Sequence, residues 1–288
     1  MGVLGLMALS GTLYAAEPPA VAVVKYDRPV VVGHRGFSSV APENTLPSFE
    51  LAVAVGADLV ELDTYHSRDG VPVVFHDGTL DRTTDATNRW GQTKIPVRAK
   101  TVAELKTLDA GSWFAPRYTG TRIPTLVEAL DTIQGGGGIT LIERKEGDAA
   151  TMARLLREKG LVNRVVVQAF DWQFLRELHA LLPEQVLGAL GAPGRLADGS
   201  KPTHKDKHLN AYWLDQLAPT GARLAVWNKD VSRESVALAH QRGLKVYVYT
   251  IDDAATVNEL LDLGVDGIIT NNPAQLWRTL ALRAEQKR

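Results

Sequence analysis

From residue 28 onward, short runs rich in Val, Ile and Leu alternate with longer stretches of helical period. The nine runs cover 30–33, 59–64, 71–75, 139–142, 164–170, 186–190, 223–227, 245–250 and 267–270. Strands separated by helical segments specify a parallel sheet with helices outside it. One run is surplus to an eight-stranded barrel, and connection length singles it out. A parallel crossover needs a dozen or more residues, whereas Ser67-Arg68-Asp69-Gly70 leaves room for a tight turn only. The run 71–75 therefore returns antiparallel to 59–64, with Asp69-Gly70 supplying the positive φ angles of a two-residue hairpin loop. That loop sets Arg68 opposite Val71 and Asp63 opposite His76, unless a bulge at Pro72 shifts the register by one.

The remaining strands each have a helical segment after them. The helix following 59–64 starts at Thr125, where Thr-Leu-Val-Glu forms a capping box, so residues 66–123 read as an insertion. The expected fold is an α/β (β/α)8 TIM barrel spanning 28–282, with a small subdomain above its C-terminal face. An open doubly wound sheet is the alternative, but no Gly-rich phosphate loop follows the first strand. Gly135 to Gly138 precedes a strand rather than a helix, which argues against a phosphate cradle. Lys201 to His208 (KPTHKDKH) reads as a solvated basic loop. Trp113, Phe114, Trp227, Tyr247 and Tyr249 read as core, with Tyr249 near the mouth.

Residues 1–16 (MGVLGLMALSGTLYAA) carry no charge and give way to Glu17-Pro18-Pro19. They read as the apolar part of a secretory signal ending near Ala15 and Ala16, too short to span a membrane. A positively charged leading segment is missing, which suggests a longer precursor. The expectation is an exported protein, periplasmic or secreted, whose mature form has no stable membrane insertion.

Composition narrows the chemistry. The 288 residues suit a single large domain with its own core. With 32 basic against 33 acidic residues, a nucleic-acid partner is not expected. The absence of Cys excludes disulfides, thiolate nucleophiles and Cys-ligated zinc, so any metal must sit among oxygen or imidazole ligands.

Ionisable residues at the C-terminal ends of barrel strands are the first place to look for catalysis. Here they are His34 and Arg35, Glu61 and Asp63, Glu143 and Lys145, and His76 on the returning arm. Glu61 and Asp63 are two apart and share one face of a strand, where carboxylates repel unless a cation lies between them. Glu143, at comparable height on the next parallel strand, offers a third oxygen. An all-carboxylate set suits Mg2+ or Ca2+ better than Zn2+. The two histidines remain free for proton transfer. Arg35 and Lys145 add positive charge beside the metal, which together describe a receptor for phosphate. Glu43 reads as an orienting group, while Glu143 has the duller alternative of pairing with Arg144 or Lys145 as a structural salt bridge.

The series His34-Arg35-Gly36, Pro42-Glu43-Asn44-Thr45, Glu61-Leu62-Asp63 and Val74-Phe75-His76-Asp77 closely resembles the glycerophosphodiester phosphodiesterases. The resemblance continues through 120–126, 142–145, 245–250 and 266–270. It implies a barrel with an insertion after the second strand, and one Ca2+ or Mg2+ ion held by Glu61, Asp63 and Glu143. It implies His34 and His76 as general base and acid, with Arg35 and Lys145 stabilising the phosphoryl oxygens. It further implies attack by the glycerol 2-hydroxyl on phosphorus, loss of the head-group alcohol, and opening of a cyclic phosphate by water. The products would be sn-glycerol 3-phosphate and an alcohol. Ala169, Tyr249 and Asn271 stand where Ser, Trp and Asp are common in the family, which leaves the head group open. The oligomeric state is open too. Two alternatives remain: a lysophospholipase D-like or sphingolipid phosphodiesterase, disfavoured by the lack of a basic amphipathic helix, and a protein that binds phosphodiesters without cleaving them.

Overall fold

Strand β1 (Val30–Gly33) is buried along its whole length, as a strand covered on both faces must be. It follows a short helix, α1 (Pro19–Val23), and leads to α2 (Leu46–Ala54), β2 (Leu59–His66) and β3 (Pro72–Val74). Two short helices follow, α3 (Ala86–Trp90) and α4 (Val102–Leu105), before α5 (Leu126–Gly135) and β4 (Thr140–Arg144). The rest alternates: α6 (Ala149–Glu158), β5 (Val166–Ala169), α7 (Trp172–Leu181), β6 (Leu187–Leu190), α8 (Ala211–Leu217), β7 (Leu224–Trp227), α9 (Arg233–Gln241), β8 (Lys245–Val248), α10 (Ala254–Leu263), β9 (Gly267–Thr270) and α11 (Pro273–Gln286). This computed structural model describes residues 16–286. The expected leader, apart from Ala16, lies outside the described residues.

The sheet runs β1-β9-β8-β7-β6-β5-β4-β2, and a parallel β1–β2 pairing through Val32 and Leu59 closes it. Eight parallel strands thus form a closed barrel with helices outside, which excludes the open doubly wound sheet. Side chains sort by parity along each strand. On β2, Leu59 packs in the barrel interior with Val30, Leu141 and Tyr247, whereas Val60 and Leu62 join the layer under the helices. Helix α1 closes the N-terminal end: Ala20 and Val23 are fully buried in that interior cluster, and Ala20 N–H donates to Asn163 O at 3.1 Å.

Between β2 and α5 the chain builds a small unit with its own apolar cluster, including Leu80, Val97, Leu105 and Ile123. Helix α5 starts in a full capping box, Thr125 accepting from Glu128 N–H and Glu128 accepting from Thr125 N–H.

Strand β3 is antiparallel to β2, but the register is one residue from that expected: Thr64 pairs with Val74 and His66 with Pro72. Asp63 therefore faces Phe75, whose N–H donates to Asp63 O at 3.0 Å, and not His76. The cause is Ser67. Its N–H donates to Val71 O and its hydroxyl accepts from Val71 N–H, both at 3.0 Å, so pairing closes around a three-residue loop. Gly70 takes the left-handed conformation that this loop needs, at φ +77°.

The 201–208 stretch is largely exposed. Two of its carbonyls also hold core indoles: Asp206 O accepts from Trp213 Nε1 and Lys207 O from Trp227 Nε1.

Candidate active site

The strand parity that buries Leu59 inside the barrel also turns Glu61 and Asp63 inward, at 1% exposure each. In the β2–β4 register Asp63 lies opposite Glu143, which shares a face with the interior residue Leu141. One carboxylate oxygen from each of Glu61, Asp63 and Glu143 lies within 4.8 Å of the others. Burial, then Asp63 and Glu143, push the Glu61 carboxyl well above its ordinary range. Burial and Asp63 push Glu143 up to about 7 against the pull of Lys145. Burial opposes ionisation of Asp63 as well, but Lys145 and Arg35 outweigh it and hold that group low.

Glu61 accepts from Arg35 N–H through Oε2 at 2.7 Å, while its Oε1 is buried with no hydrogen-bond partner among the described residues. Gln168, opposite Glu143 on β5, has a buried Oε1 in the same condition. Buried unpartnered acceptors are costly, and a cation among these carboxylates would satisfy Glu61 Oε1. Hard oxygen donors fit Ca2+ or Mg2+, and the residues present fit such an ion.

Three cations surround the cluster. Arg35 donates from Nη1 to Glu43 at 2.7 Å and sets Nε 3.4 Å from Asp63. Arg82 donates to both oxygens of Glu43 and to Asp77. Lys145 bridges Glu143 and Asp63, the latter at 3.1 Å; burial works against its charge, but these carboxylates raise its pKa regardless. The linked network holds five carboxylates, Glu43, Glu61, Asp63, Asp77 and Glu143, against Arg35, Arg82 and Lys145. With all five carboxylates ionised, a divalent cation would bring it to neutrality.

The histidines have unlike partners. His34 Nδ1 lies 2.7 Å from Asn271 Oδ1, and burial followed by the neighbouring Arg35 charge lowers its pKa to about 4. His76 Nδ1 lies 2.6 Å from Asp77. Burial opposes the Asp77 charge, but hydrogen bonds from Arg82 and His76 hold it down to about 2.

Backbone geometry at β1's end is special. Arg35, Gly36 and Asn44 have φ of +53°, +88° and +57°, a concentration of uncommon conformations typical of functional sites. A Cβ on Gly36 would lie 2.3 to 2.7 Å from Ser48 atoms, two of them backbone, so α2 packs directly on the glycine. Asn44 donates to Asp63 Oδ2 at 2.8 Å and accepts from Asp63 N–H at 3.2 Å, orienting that carboxylate.

His34, Arg35, Glu61, Asp63, His76, Glu143 and Lys145 thus converge on the C-terminal rim, with Glu43 behind Arg35. Tyr249 stands at the rim, its hydroxyl donating to Gly191 O at 2.8 Å and its ring edge-on to Phe170. A cavity of about 260 Å³ opens beside Glu143 and Lys145, lined also by Phe170 and Arg195. A larger hollow of about 570 Å³, lined by Arg28, Leu261 and Trp277, lies toward the other end of β1 and contains none of these groups. Trp227 and Tyr247 are core. Trp113 is not: it is 41% exposed and edge-on to the half-buried Phe114 in the insertion, its indole N–H donating to the nearby Ala110 carbonyl. Asn44, Asp77, Arg82, Asp252 and Asn271 complete the site without having been singled out as site residues. Asn44 and Asp77 adjoin motif residues, a usable signal; nothing local marks Arg82 or Asp252.

A profile of the glycerophosphoryl diester phosphodiesterase family matches residues 34–275. The glycerophosphodiester phosphodiesterase of Caldanaerobacter subterraneus subsp. tengcongensis is 31% identical over 253 residues, covering 86% of this chain and 96% of that protein. The Bacillus subtilis enzyme of the same name is 31% identical over 266 residues, covering 86% and 85%. Among solved structures, an Oleispira antarctica phosphodiesterase in complex with the product sn-glycerol-3-phosphate is similar at TM-score 0.76 and 28% identity, covering 91% and 99% of the two chains. Closed barrel, rim carboxylates and a profile match through nearly all the barrel agree: the chain belongs to the glycerophosphoryl diester phosphodiesterase family.

Proposed function

We propose that this protein hydrolyses glycerophosphodiesters to sn-glycerol 3-phosphate and an alcohol with the help of one divalent cation, Ca2+ or Mg2+. The observation that carries the reading is the buried Glu61, Asp63 and Glu143 cluster, flanked by Arg35 and Lys145 and by two histidines. The Oleispira relative's complex with sn-glycerol-3-phosphate supports the product class.

Glu61, Asp63 and Glu143 would hold the cation, whose chemistry is to offset charge on the phosphoryl oxygens. Arg35 and Lys145 add fixed donors to the same oxygens. His34 takes the proton of the glycerol 2-hydroxyl as its oxygen bonds to phosphorus. The bond to the head-group oxygen breaks, and His76 gives that oxygen a proton. In the second half His76 takes a proton from water as it adds to phosphorus, the ring opens at the 2-oxygen, and His34 returns its proton there. The partners of the histidines support this division: His34 rests on a neutral amide and His76 on a carboxylate.

His34→Ala and His76→Ala should each abolish glycerol 3-phosphate release while the circular dichroism spectrum is unchanged; full turnover in either overturns the reading. The apolar leader supports export to the periplasm or medium, and N-terminal sequencing of the secreted or periplasmic protein tests cleavage near Ala16. No described helix is long and apolar enough to cross a membrane.

A further inference from the structure

We propose that Asn271, itself oriented by Asp252, is a positioning residue that holds His34 in the tautomer protonated on Nδ1 and so reserves Nε2 as the ring's acceptor. The inference deepens the phosphodiesterase reading and rests on His34 being its base.

Asp252 carries a carboxylate, which when ionised only accepts hydrogen bonds. Asp252 Oδ2 lies 2.7 Å from the Asn271 side-chain nitrogen, and its Oδ1 accepts from Asn271 N–H at 2.8 Å and from the Thr270 hydroxyl at 2.9 Å. An ionised carboxylate has no proton to give, so the amide NH2 must face Asp252 and the amide oxygen must face the other way. The reverse orientation would set two acceptors against each other at that distance.

On its other side Asn271 Oδ1 lies 2.7 Å from His34 Nδ1 and accepts from the Ser38 hydroxyl at 2.8 Å. An amide oxygen is also an acceptor only. His34 Nδ1 must therefore carry the proton, and in the neutral ring Nε2 does not. The backbone supports the geometry: His34 N–H donates to Thr270 O at 2.8 Å and Ser39 N–H to Asn271 O at 3.0 Å, which ties the β1 end to the β9 end. The charged and titratable groups facing His34 are Arg35, Asp63 and His76. Asn271 brings orientation without adding a negative charge to this set.

A charge exchange tests the idea. Asn271→Asp alone sets two carboxylates where an amide now meets one, and should lower kcat. Combining it with Asp252→Asn restores the donor and acceptor pattern but moves the negative charge next to the ring. Kinetics would use the metal-loaded enzyme with glycerophosphocholine, and the His34 tautomer would be read from nitrogen chemical shifts in the same protein. The expected results are an Nδ1-protonated His34 in the wild type and a fall in kcat of about tenfold to a hundredfold in Asn271→Ala, with KM within about twofold. The exchanged pair should recover most of kcat, with the acidic limb of kcat/KM displaced upward by about one pH unit.

An Nε2-protonated His34 in the wild type would overturn the proposal. So would an unchanged kcat and pH profile in Asn271→Ala, or an exchanged pair whose acidic limb stays where it was. The tautomer is measured without turnover, so this outcome is separate from failure of the catalytic reading, which His34→Ala decides.

Discussion

Lys145 Nζ lies 3.1 Å from the Asp63 carboxylate while also pairing with Glu143, so one ammonium ties together carboxylates from the adjacent strands β2 and β4. Its backbone is fixed as well, Lys145 N–H donating to Thr64 O at 3.0 Å. The charge therefore sits at the rim before any substrate arrives, which is the condition for electrostatic stabilisation without reorganisation. Lys145→Ala should lower kcat by about a hundredfold to a thousandfold with the fold retained, as steady-state kinetics and circular dichroism will report. A loss below about threefold would remove Lys145 from the catalytic set.

Chelation should abolish turnover, and Ca2+ or Mg2+ added back singly should identify the ion. Glu61→Gln separates the two roles of that side chain. It removes a buried carboxyl whose ionisation burial, Asp63 and Glu143 oppose and whose Oε1 is unpartnered, so the metal-free variant should melt higher than the metal-free wild type at a pH where that carboxyl is driven to ionise. It also removes a ligand, so the rise in melting temperature on adding metal should shrink. Equal metal-induced shifts in both proteins would place the ion elsewhere.

In the metal-free protein the buried carboxyls Glu143 and Glu61 should lower stability as pH rises from the ordinary carboxylate range toward 7. Over part of that window they are opposed by His34, whose pKa burial lowers to about 4. Burial and Asp63 push Glu143 up to about 7, so across that window the folded state holds a proton that the unfolded state has released. Whereas the contribution of His34 to the slope of stability with pH is positive below its ordinary pKa, at Glu143 the unfolded state then binds fewer protons, so this group's contribution is negative. Glu61 shifts in the same direction, and metal affinity should rise over the same interval because ligands must be ionised. Urea unfolding in chelator at pH 5 and pH 7, with Glu143→Gln beside the wild type, isolates the carboxyl contribution, and the wild type should show the more negative slope. A wild-type slope no more negative than that of Glu143→Gln would mean that Lys145 and Arg35 already neutralise the cluster.

Gly36→Ala should cost about 1–3 kcal/mol from its left-handed backbone alone, more if Ser48 cannot yield. Gly36 has φ of +88° and a Cβ would meet Ser48 backbone atoms at 2.6 and 2.7 Å. Activity should fall with stability, because the same backbone carries the Arg35 N–H that binds Glu61. Denaturant midpoints against kcat check the coupling.

Arg82→Ala should leave the fold standing and reduce activity by about tenfold to a hundredfold. Arg82 holds Glu43, which holds Arg35, and Asp77, which pairs with His76. Kinetics near those of the wild type would show that Glu43 and Asp77 keep their positions unaided.

Local patterns in this chain are legible because they depend on near neighbours. Alternating runs imply strands and helices, four residues at 67–70 are too few for a crossover, and a spacing of two sets Glu61 and Asp63 on one face with Leu59. The Thr125 capping box is equally local and is present. The tertiary structure decided what depends on contacts between distant segments. The Ser67 hydroxyl set the hairpin register, so that Asp63 faces Phe75. Closure of the barrel brought Asn271 to His34 across 237 positions of sequence. The folding of the insertion brought Arg82 to Glu43. Periodicity reports which face a residue occupies, whereas the partner waiting on that face is chosen by packing, and for Arg82 and Asp252 no local pattern carries that information.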